Sequence, residues 1–147
     1  MMKDSTIQVI CGPGKGKTAS ALGRGISALI HGKNVIMVQF LKGSMDSDNM
    51  EVLKRLEPEF KLFRFEKSPV VFDQLSEEEK EEARIDILIL DEILGILDEG
   101  ILTLEELCAL IGQARQSEAE LIMTGTVYPA ALDEWVDEVT KLQTRFE

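Results

Sequence analysis

Residues 7–18 read IQVICGPGKGKT, and they give the strongest indication of the fold. Residues 7–10 are a short, mostly β-branched run, which is typical of a buried parallel strand. The glycine-rich residues 12–16 follow directly. Apolar residues then recur at helical spacing: Leu22, Ile26, Leu29 and Ile30. Gly32 is placed to end that helix. The stretch therefore predicts a strand, a glycine loop and a helix in immediate succession.

A glycine loop between a strand and a helix is the context of a phosphate-binding loop (P-loop). Glycines let the backbone wrap closely, so that N–H groups and the helix N-terminus point at phosphate oxygens. Lys17 would reach the β and γ phosphates of a nucleotide, and the Thr18 hydroxyl would coordinate Mg²⁺. The candidate nucleotide-binding residues are Gly12, Pro13, Gly14, Lys15, Gly16, Lys17, Thr18 and Ala19.

The loop departs from the strict pattern G-x-x-x-x-G-K-[ST] at one position, because Cys11 stands where the first glycine would be. Cysteine is small, and the three glycines nearest the phosphates remain. Pro13 fixes the turn and removes one N–H donor. We therefore keep the prediction of a phosphate-binding loop.

A second candidate feature follows the most hydrophobic strand candidate, residues 85–90, which we expect near the centre of the sheet. This strand ends on the acidic pair Asp91-Glu92. Ligands in open α/β sheets collect at the carboxyl ends of the strands. We predict Asp91 as a magnesium ligand together with Thr18. Thr124-Gly125-Thr126 ends another strand at the same edge, and either phosphate contact or a plain turn would explain it.

The remaining pattern alternates strands with helices. Further strands are predicted at residues 34–40, 60–65 (near an edge), 120–123 and 137–142. A short helix is predicted at residues 50–56, and two more begin at the capping boxes of Ser76 and Thr103. Another short helix is predicted around Trp135, and we expect the Trp135 side chain in the core. Residues 42–49 are predicted as a mobile loop, and residues 67–75 as poorly ordered without ligand. Gly23 and Gly25 are expected to let the first helix approach the sheet closely.

These elements predict an α/β fold of the three-layer P-loop NTPase type, with a mostly parallel sheet and helices on both faces. With 147 residues, 44% of them hydrophobic, the chain is expected to form one domain over residues 1–147.

Charge and composition exclude several classes of function. The net charge is -11, with 11 Lys and Arg against 8 Asp and Glu in residues 1–75 but 5 against 19 in residues 76–147. This balance disfavours general nucleic-acid binding and favours anion binding by the first half. The two cysteines form no metal or disulfide pattern, and neither a membrane span nor a signal-peptide core is apparent. We expect a cytoplasmic protein.

With these motifs placed, the chain resembles the P-loop ATP:corrinoid (cob(I)alamin) adenosyltransferases. The matching segments are Gly12-x-Gly14-Lys15-Gly16-Lys17-Thr18, residues 38–43 (VQFLKG), Leu90-Asp91-Glu92-Ile93 with the following Gly100, Leu102 and Glu105-Glu106, Thr124-Gly125, and Asp137-x-Val139-Thr140.

The resemblance implies a RecA-like sheet and transfer of the 5′-deoxyadenosyl group of ATP to a Co(I) corrinoid, with release of triphosphate. It implies ATP and Mg²⁺ at the loop, with the corrinoid as substrate. It also implies that Lys17 and Glu92 are catalytic, Glu92 by holding a magnesium-bound water or positioning the reactants, and that the protein is a homodimer.

The sequence allows two alternatives to adenosyl transfer, of which the second is disfavoured. The family's Gly-Phe-Thr-Trp segment has no counterpart in residues 66–84, and Thr126 stands where the family has Arg. The chain could therefore be an ATP-binding regulatory or partner-binding protein that has lost corrinoid chemistry. A small P-loop kinase is disfavoured, since the arginines after residue 75, Arg84, Arg115 and Arg145, form no lid-like cluster.

Overall fold

A computed structural model of the protein describes residues 6–40, 52–65 and 85–145. In this part of the chain the strands are β1 (Ile7–Cys11), β2 (Val35–Phe40), β3 (Phe60–Phe65), β4 (Ile87–Asp91), β5 (Glu120–Thr124) and β6 (Glu138–Lys141). The α-helices are α1 (Lys17–Ile30), α2 (Ile93–Asp98) and α3 (Leu104–Gln116), and two 3-10 turns cover Lys54–Leu56 and Ala130–Leu132.

The strands form one sheet in the order β3-β2-β4-β5-β1-β6, and every neighbouring pair is parallel. β4 lies between β2 and β5, so its predicted central position is confirmed. β3 lies at one edge, also as predicted. The carboxyl ends of β1, β4 and β5 are neighbours, which brings the glycine loop, the Asp91-Glu92 pair and residues 124–126 to the same edge.

Each face of the sheet has its own hydrophobic core. Ile36, Val38 and Phe40 of β2 pack in a cluster with α2 and α3 residues, whereas Val35 and Met37 pack on the other face in the cluster that contains Ala21 of α1. Alternate residues of one strand thus face opposite layers, as strand geometry requires. This arrangement confirms the α/β class with helices on both faces, and it is consistent with a RecA-like P-loop fold.

α1 approaches the sheet closely at one glycine only. A methyl group at Gly25 would lie 2.9 Å from Ile89 Cδ1 and 3.2 Å from both Phe60 and Val35 side-chain atoms, whereas one at Gly23 would have no atom within 4 Å. The prediction of close approach is therefore confirmed for Gly25 and wrong for Gly23, which lies on a face of α1 away from the strands. Gly32 has φ of 79° and follows the helix end, as predicted.

The two glycines form a matched pair for a stability test. Gly25→Ala is expected to lower the free energy of unfolding by about 1–3 kcal/mol, because the added methyl group overpacks the α1–sheet contact. Gly23→Ala is expected to raise it by about 0.5–1 kcal/mol through helix propensity alone. Urea unfolding of both variants measures this. Equal effects of the two substitutions would contradict the packing of α1.

Other predictions meet mixed outcomes. The capping box of α3 is present, since Thr103 Oγ1 accepts from Glu106 N at 3.1 Å and Glu106 Oε1 accepts from Thr103 N at 2.9 Å. The prediction of a helix around Trp135 is wrong: a 3-10 turn ends at Leu132, and Trp135 is 37% exposed in the turn that follows.

The expectations for residues 42–49, residues 67–75 and the helix at Ser76 lie outside the described residues. None of the described helices combines the length and apolar character needed to cross a membrane.

Candidate nucleotide-binding site

The predicted phosphate-binding loop lies between β1 and α1 and presents a set of backbone N–H groups. Gly16 is the N-cap of α1 with φ of 99°, a left-handed conformation that favours glycine. The first amide of α1 with a helical acceptor is that of Ser20, which donates to Gly16 O at 2.8 Å. The four preceding amides, those of residues 16–19, have no acceptor among the described residues. They are available to an anion.

The first half of the loop uses its amides within the protein. Gly12 N donates to Thr126 O at 3.0 Å, Gly14 N to Leu142 O at 2.8 Å, and Lys15 N to Thr144 Oγ1 at 2.8 Å. Pro13 has no N–H to offer. Of the eight residues predicted to bind nucleotide, residues 16–19 therefore offer free amides, and residues 12–15 give the loop its shape.

The chain after β6, residues 142–144, lies directly against this first half. A methyl group on Gly12 or Gly14 would come within 2.6 Å of Leu142 O. Leu142 N in turn donates to Cys11 O at 2.8 Å. Both glycines are thus required by close backbone approach. Sequence reasoning missed this contact, because nothing in the local pattern of residues 142–144 indicates a partner about 130 positions away.

Lys17 extends back over the loop. Its Nζ donates to Gly12 O and to Gly14 O, each at 2.9 Å. The ammonium group is therefore held above the loop by two neutral carbonyl oxygens. A phosphate oxygen is a stronger acceptor for a cation than either carbonyl, so the ammonium can exchange these partners for a bound triphosphate.

Asp91 lies at the centre of a buried hydrogen-bond cluster. The residue is fully buried, and its carboxylate accepts from Thr18 Oγ1 at 3.0 Å to each oxygen, from Thr124 Oγ1 at 2.7 Å and from Gln39 Nε2 at 3.2 Å. The structure thus brings Thr18 and Asp91 together. Thr124 and Gln39 also donate hydrogen bonds to Asp91, and the sequence patterns did not predict these two contacts.

Glu92 occupies the turn between β4 and α2. It is the N-cap of α2 with φ of 68°, and its N–H donates to Thr124 Oγ1 at 2.8 Å. Thr124 therefore holds both members of the acidic pair, one through its hydroxyl proton and the other through its oxygen. Thr124 thus does more than turn the chain, since its hydroxyl group contacts both Asp91 and the backbone of Glu92.

Cys11 occupies the first position of the loop pattern, where a glycine is usual, and its thiol is buried. Burial raises the pKa of Cys11, and the positive charges of Lys141 and Lys17 oppose this shift. A raised pKa keeps the thiol protonated at neutral pH, so that Cys11 acts as a small neutral side chain in the place of the usual glycine.

The donor set at this site suits a magnesium ion that arrives with a nucleotide. Among the described residues, no three His, Cys, Asp or Glu side chains come together as a metal cage. The Thr18 hydroxyl and the Asp91 carboxylate are oxygen donors, and Mg²⁺ in nucleotide sites is held by few protein oxygens together with phosphates and waters. The residues present therefore fit Mg²⁺ as a partner of the phosphates.

The comparison with protein families shows which family the chain belongs to. The model of the family ATP:corrinoid adenosyltransferase BtuR/CobO/CobP matches residues 3–145. The chain belongs to this family. The resemblance drawn from the loop, the acidic pair and the strand ends is thereby confirmed.

Curated relatives carry the same name. The corrinoid adenosyltransferase CobA of Salmonella typhimurium is 30% identical over 149 aligned residues, which cover 93% of this chain and 76% of that protein. The corrinoid adenosyltransferase of Escherichia coli K12 is 28% identical over the same shares. That of Pseudomonas aeruginosa is 30% identical, with 89% of this chain and 71% of the relative covered.

Proposed function

We propose that this protein transfers the 5′-deoxyadenosyl group of ATP to the cobalt of a Co(I) corrinoid and releases triphosphate. The observation that carries the proposal is the convergence of four free amides, the Lys17 ammonium and the Thr18–Asp91 pair at one sheet edge, in a chain of the adenosyltransferase family. The relatives described above are named corrinoid adenosyltransferases.

The chemistry requires the protein mainly to hold a leaving group. The Co(I) centre of the substrate supplies the electron pair for the new cobalt–carbon bond to C5′. The bond from C5′ to the oxygen of the triphosphate breaks, and its electron pair stays on that oxygen. No proton has to be removed from the nucleophile, so no general base is required. The amides of residues 16–19 and Lys17 are placed to stabilise the negative charge of the departing triphosphate.

Thr18 and Asp91 would hold the magnesium ion, which when bound neutralises phosphate charge. The Thr18 hydroxyl donates its hydrogen bond to Asp91, so the lone pairs of Thr18 Oγ1 are free to bind the magnesium ion. Asp91 supplies the negative charge behind it. Glu92, whose backbone is fixed by Thr124, is assigned a positioning role toward a magnesium-bound water. The predicted homodimer, cytoplasmic location and lack of nucleic-acid binding belong to the same proposal.

The direct test is anaerobic conversion of cob(I)alamin with Mg-ATP. We expect adenosylcobalamin, measured by its absorbance spectrum and light sensitivity, together with an equal amount of triphosphate. A relative with established activity serves as the positive control. Bound ATP without conversion would overturn the proposal. Release of monophosphate or diphosphate instead of triphosphate would contradict the assigned reaction and favour phosphoryl transfer.

A further inference from the structure

Gln39 is a buried polar residue at the site that the mechanism above does not use. It lies in β2 directly beside Asp91 of β4, its partner in the parallel register, and it is 2% exposed. The residues before it in β2, Val35–Val38, are all buried and apolar. A polar amide at this depth costs free energy unless both of its ends are hydrogen-bonded.

Asp91 fixes which way the Gln39 amide points. Gln39 Nε2 donates to Asp91 Oδ2 at 3.2 Å, and a flipped amide would put its oxygen against the carboxylate instead. Gln39 Oε1 therefore points away from the Asp91 carboxylate. In the part of the chain that the structure describes, it is the one buried side-chain nitrogen or oxygen atom that has no hydrogen-bond partner. Such an orphaned acceptor in a native site indicates a missing donor.

The position of Gln39 limits what that donor can be. Thr18 Oγ1 lies 3.0 Å from the same carboxylate oxygen, Asp91 Oδ2, that binds the Gln39 amide. The Gln39 amide nitrogen is thus within two hydrogen-bond lengths of the Thr18 hydroxyl. Water bound to a divalent cation is a strong and small hydrogen-bond donor, and Mg²⁺ in nucleotide sites keeps several such waters.

We propose that Gln39 is a positioning residue whose Oε1 accepts a hydrogen bond from a water in the magnesium shell of Mg-ATP. The inference rests on the proposed function only in that it needs ATP and magnesium to bind at Thr18. Its Nε2 meanwhile holds Asp91 in place. The side chain thereby couples the orientation of the carboxylate to that of the cation, as outer-shell groups do in metal sites.

The test is the gain in ATP affinity that magnesium confers. Isothermal titration measures the Kd for ATP in excess Mg²⁺ and in EDTA, and the ratio of the two is the magnesium gain. Gln39→Met keeps the shape but removes both polar atoms, and it is expected to reduce the gain about tenfold while the Kd in EDTA changes little. An unchanged magnesium gain in Gln39→Met would overturn the proposal.

Two further variants test whether the effect is specific to Gln39. Thr124→Val removes another hydrogen-bond donor to Asp91 but leaves Gln39 Oε1 intact, so it is expected to lose less of the gain than Gln39→Met. A loss equal to that of Gln39→Met would show that the effect passes only through Asp91, and would contradict the proposal. Gln39→Leu is a second apolar replacement without either polar atom, and it is expected to reduce the gain as Gln39→Met does.

Gln39→Leu also decides the question if Gln39→Met does not fold, since an unchanged magnesium gain in a folded Gln39→Leu protein would overturn the proposal. No corrinoid enters these titrations. A failure of adenosyl transfer by the unmodified protein therefore remains distinguishable from a failure of the Gln39 inference.

Discussion

Replacing Lys17 with alanine is expected to weaken Mg-ATP binding about a hundredfold, while the free energy of unfolding falls by less than about 1 kcal/mol. The ammonium group contacts only the carbonyl oxygens of Gly12 and Gly14 among the described residues, and both are on the loop itself. No core contact is lost with it. The bound triphosphate, by contrast, loses a positive charge that the loop holds in place. Titration calorimetry with Mg-ATP and urea unfolding measure the two effects separately.

Lys15→Ala is the matched control, because it removes the same charge from the same loop. Lys15 is exposed, and its contact in the structure is made by the backbone N–H to Thr144, which alanine retains. We expect a loss of affinity below about tenfold, since an exposed charge is screened by solvent. Equal losses in the two variants would mean that the loop acts through net charge alone, and would contradict the specific placement of Lys17.

The strand–loop–helix unit could be predicted from sequence because its signals are local. An apolar run, a glycine loop and a helical period follow one another within residues 7–30, and their immediate succession makes the pattern specific. The central position of β4 followed from its hydrophobicity, since a strand covered on both faces needs apolar side chains on both. The pairing of Thr18 with Asp91 followed from the topology of parallel sheets, which brings carboxyl ends together.

Other parts of the site depend on contacts that no local pattern encodes. Gln39 reads as one polar residue in an apolar strand, and only the parallel register places it beside Asp91. Residues 142–144 hold the loop through backbone atoms, which carry no side-chain signal. Both features required the three-dimensional arrangement of strands that are far apart in sequence.

The two errors have equally physical causes. Gly23 and Gly25 are both small residues in α1, but the helical period of 3.6 places them on different faces, and only Gly25 meets the sheet. The expectation that Trp135 lies in the core rested on a predicted short amphipathic helix, which the structure does not contain. The main chain of Trp135 is instead held in a surface turn, where Trp135 O accepts from Arg115 Nη2 at 2.8 Å.

Asp91→Asn is expected to have opposite effects on stability and on binding. The carboxylate is fully buried, and no described Lys or Arg lies within ion-pair distance of it. Removing a buried charge relieves a desolvation cost. The hydroxyls of Thr18 and Thr124 can rotate, and a flipped Gln39 amide would let its orphaned Oε1 accept from the new Asn side chain. We therefore expect the free energy of unfolding to stay constant or rise by about 1 kcal/mol.

The magnesium-dependent affinity for ATP should fall about a hundredfold in the same variant, because the carboxylate charge behind the Thr18 hydroxyl is gone. Asp98→Asn, an exposed site with the same change in net charge, is the control and should alter neither quantity appreciably. Urea unfolding and titrations with and without Mg²⁺ measure both effects. A strong loss of stability in Asp91→Asn would mean that the carboxylate holds the fold rather than the ligand, since three hydrogen bonds would then outweigh its desolvation. Retained magnesium dependence would remove Asp91 from the metal site altogether.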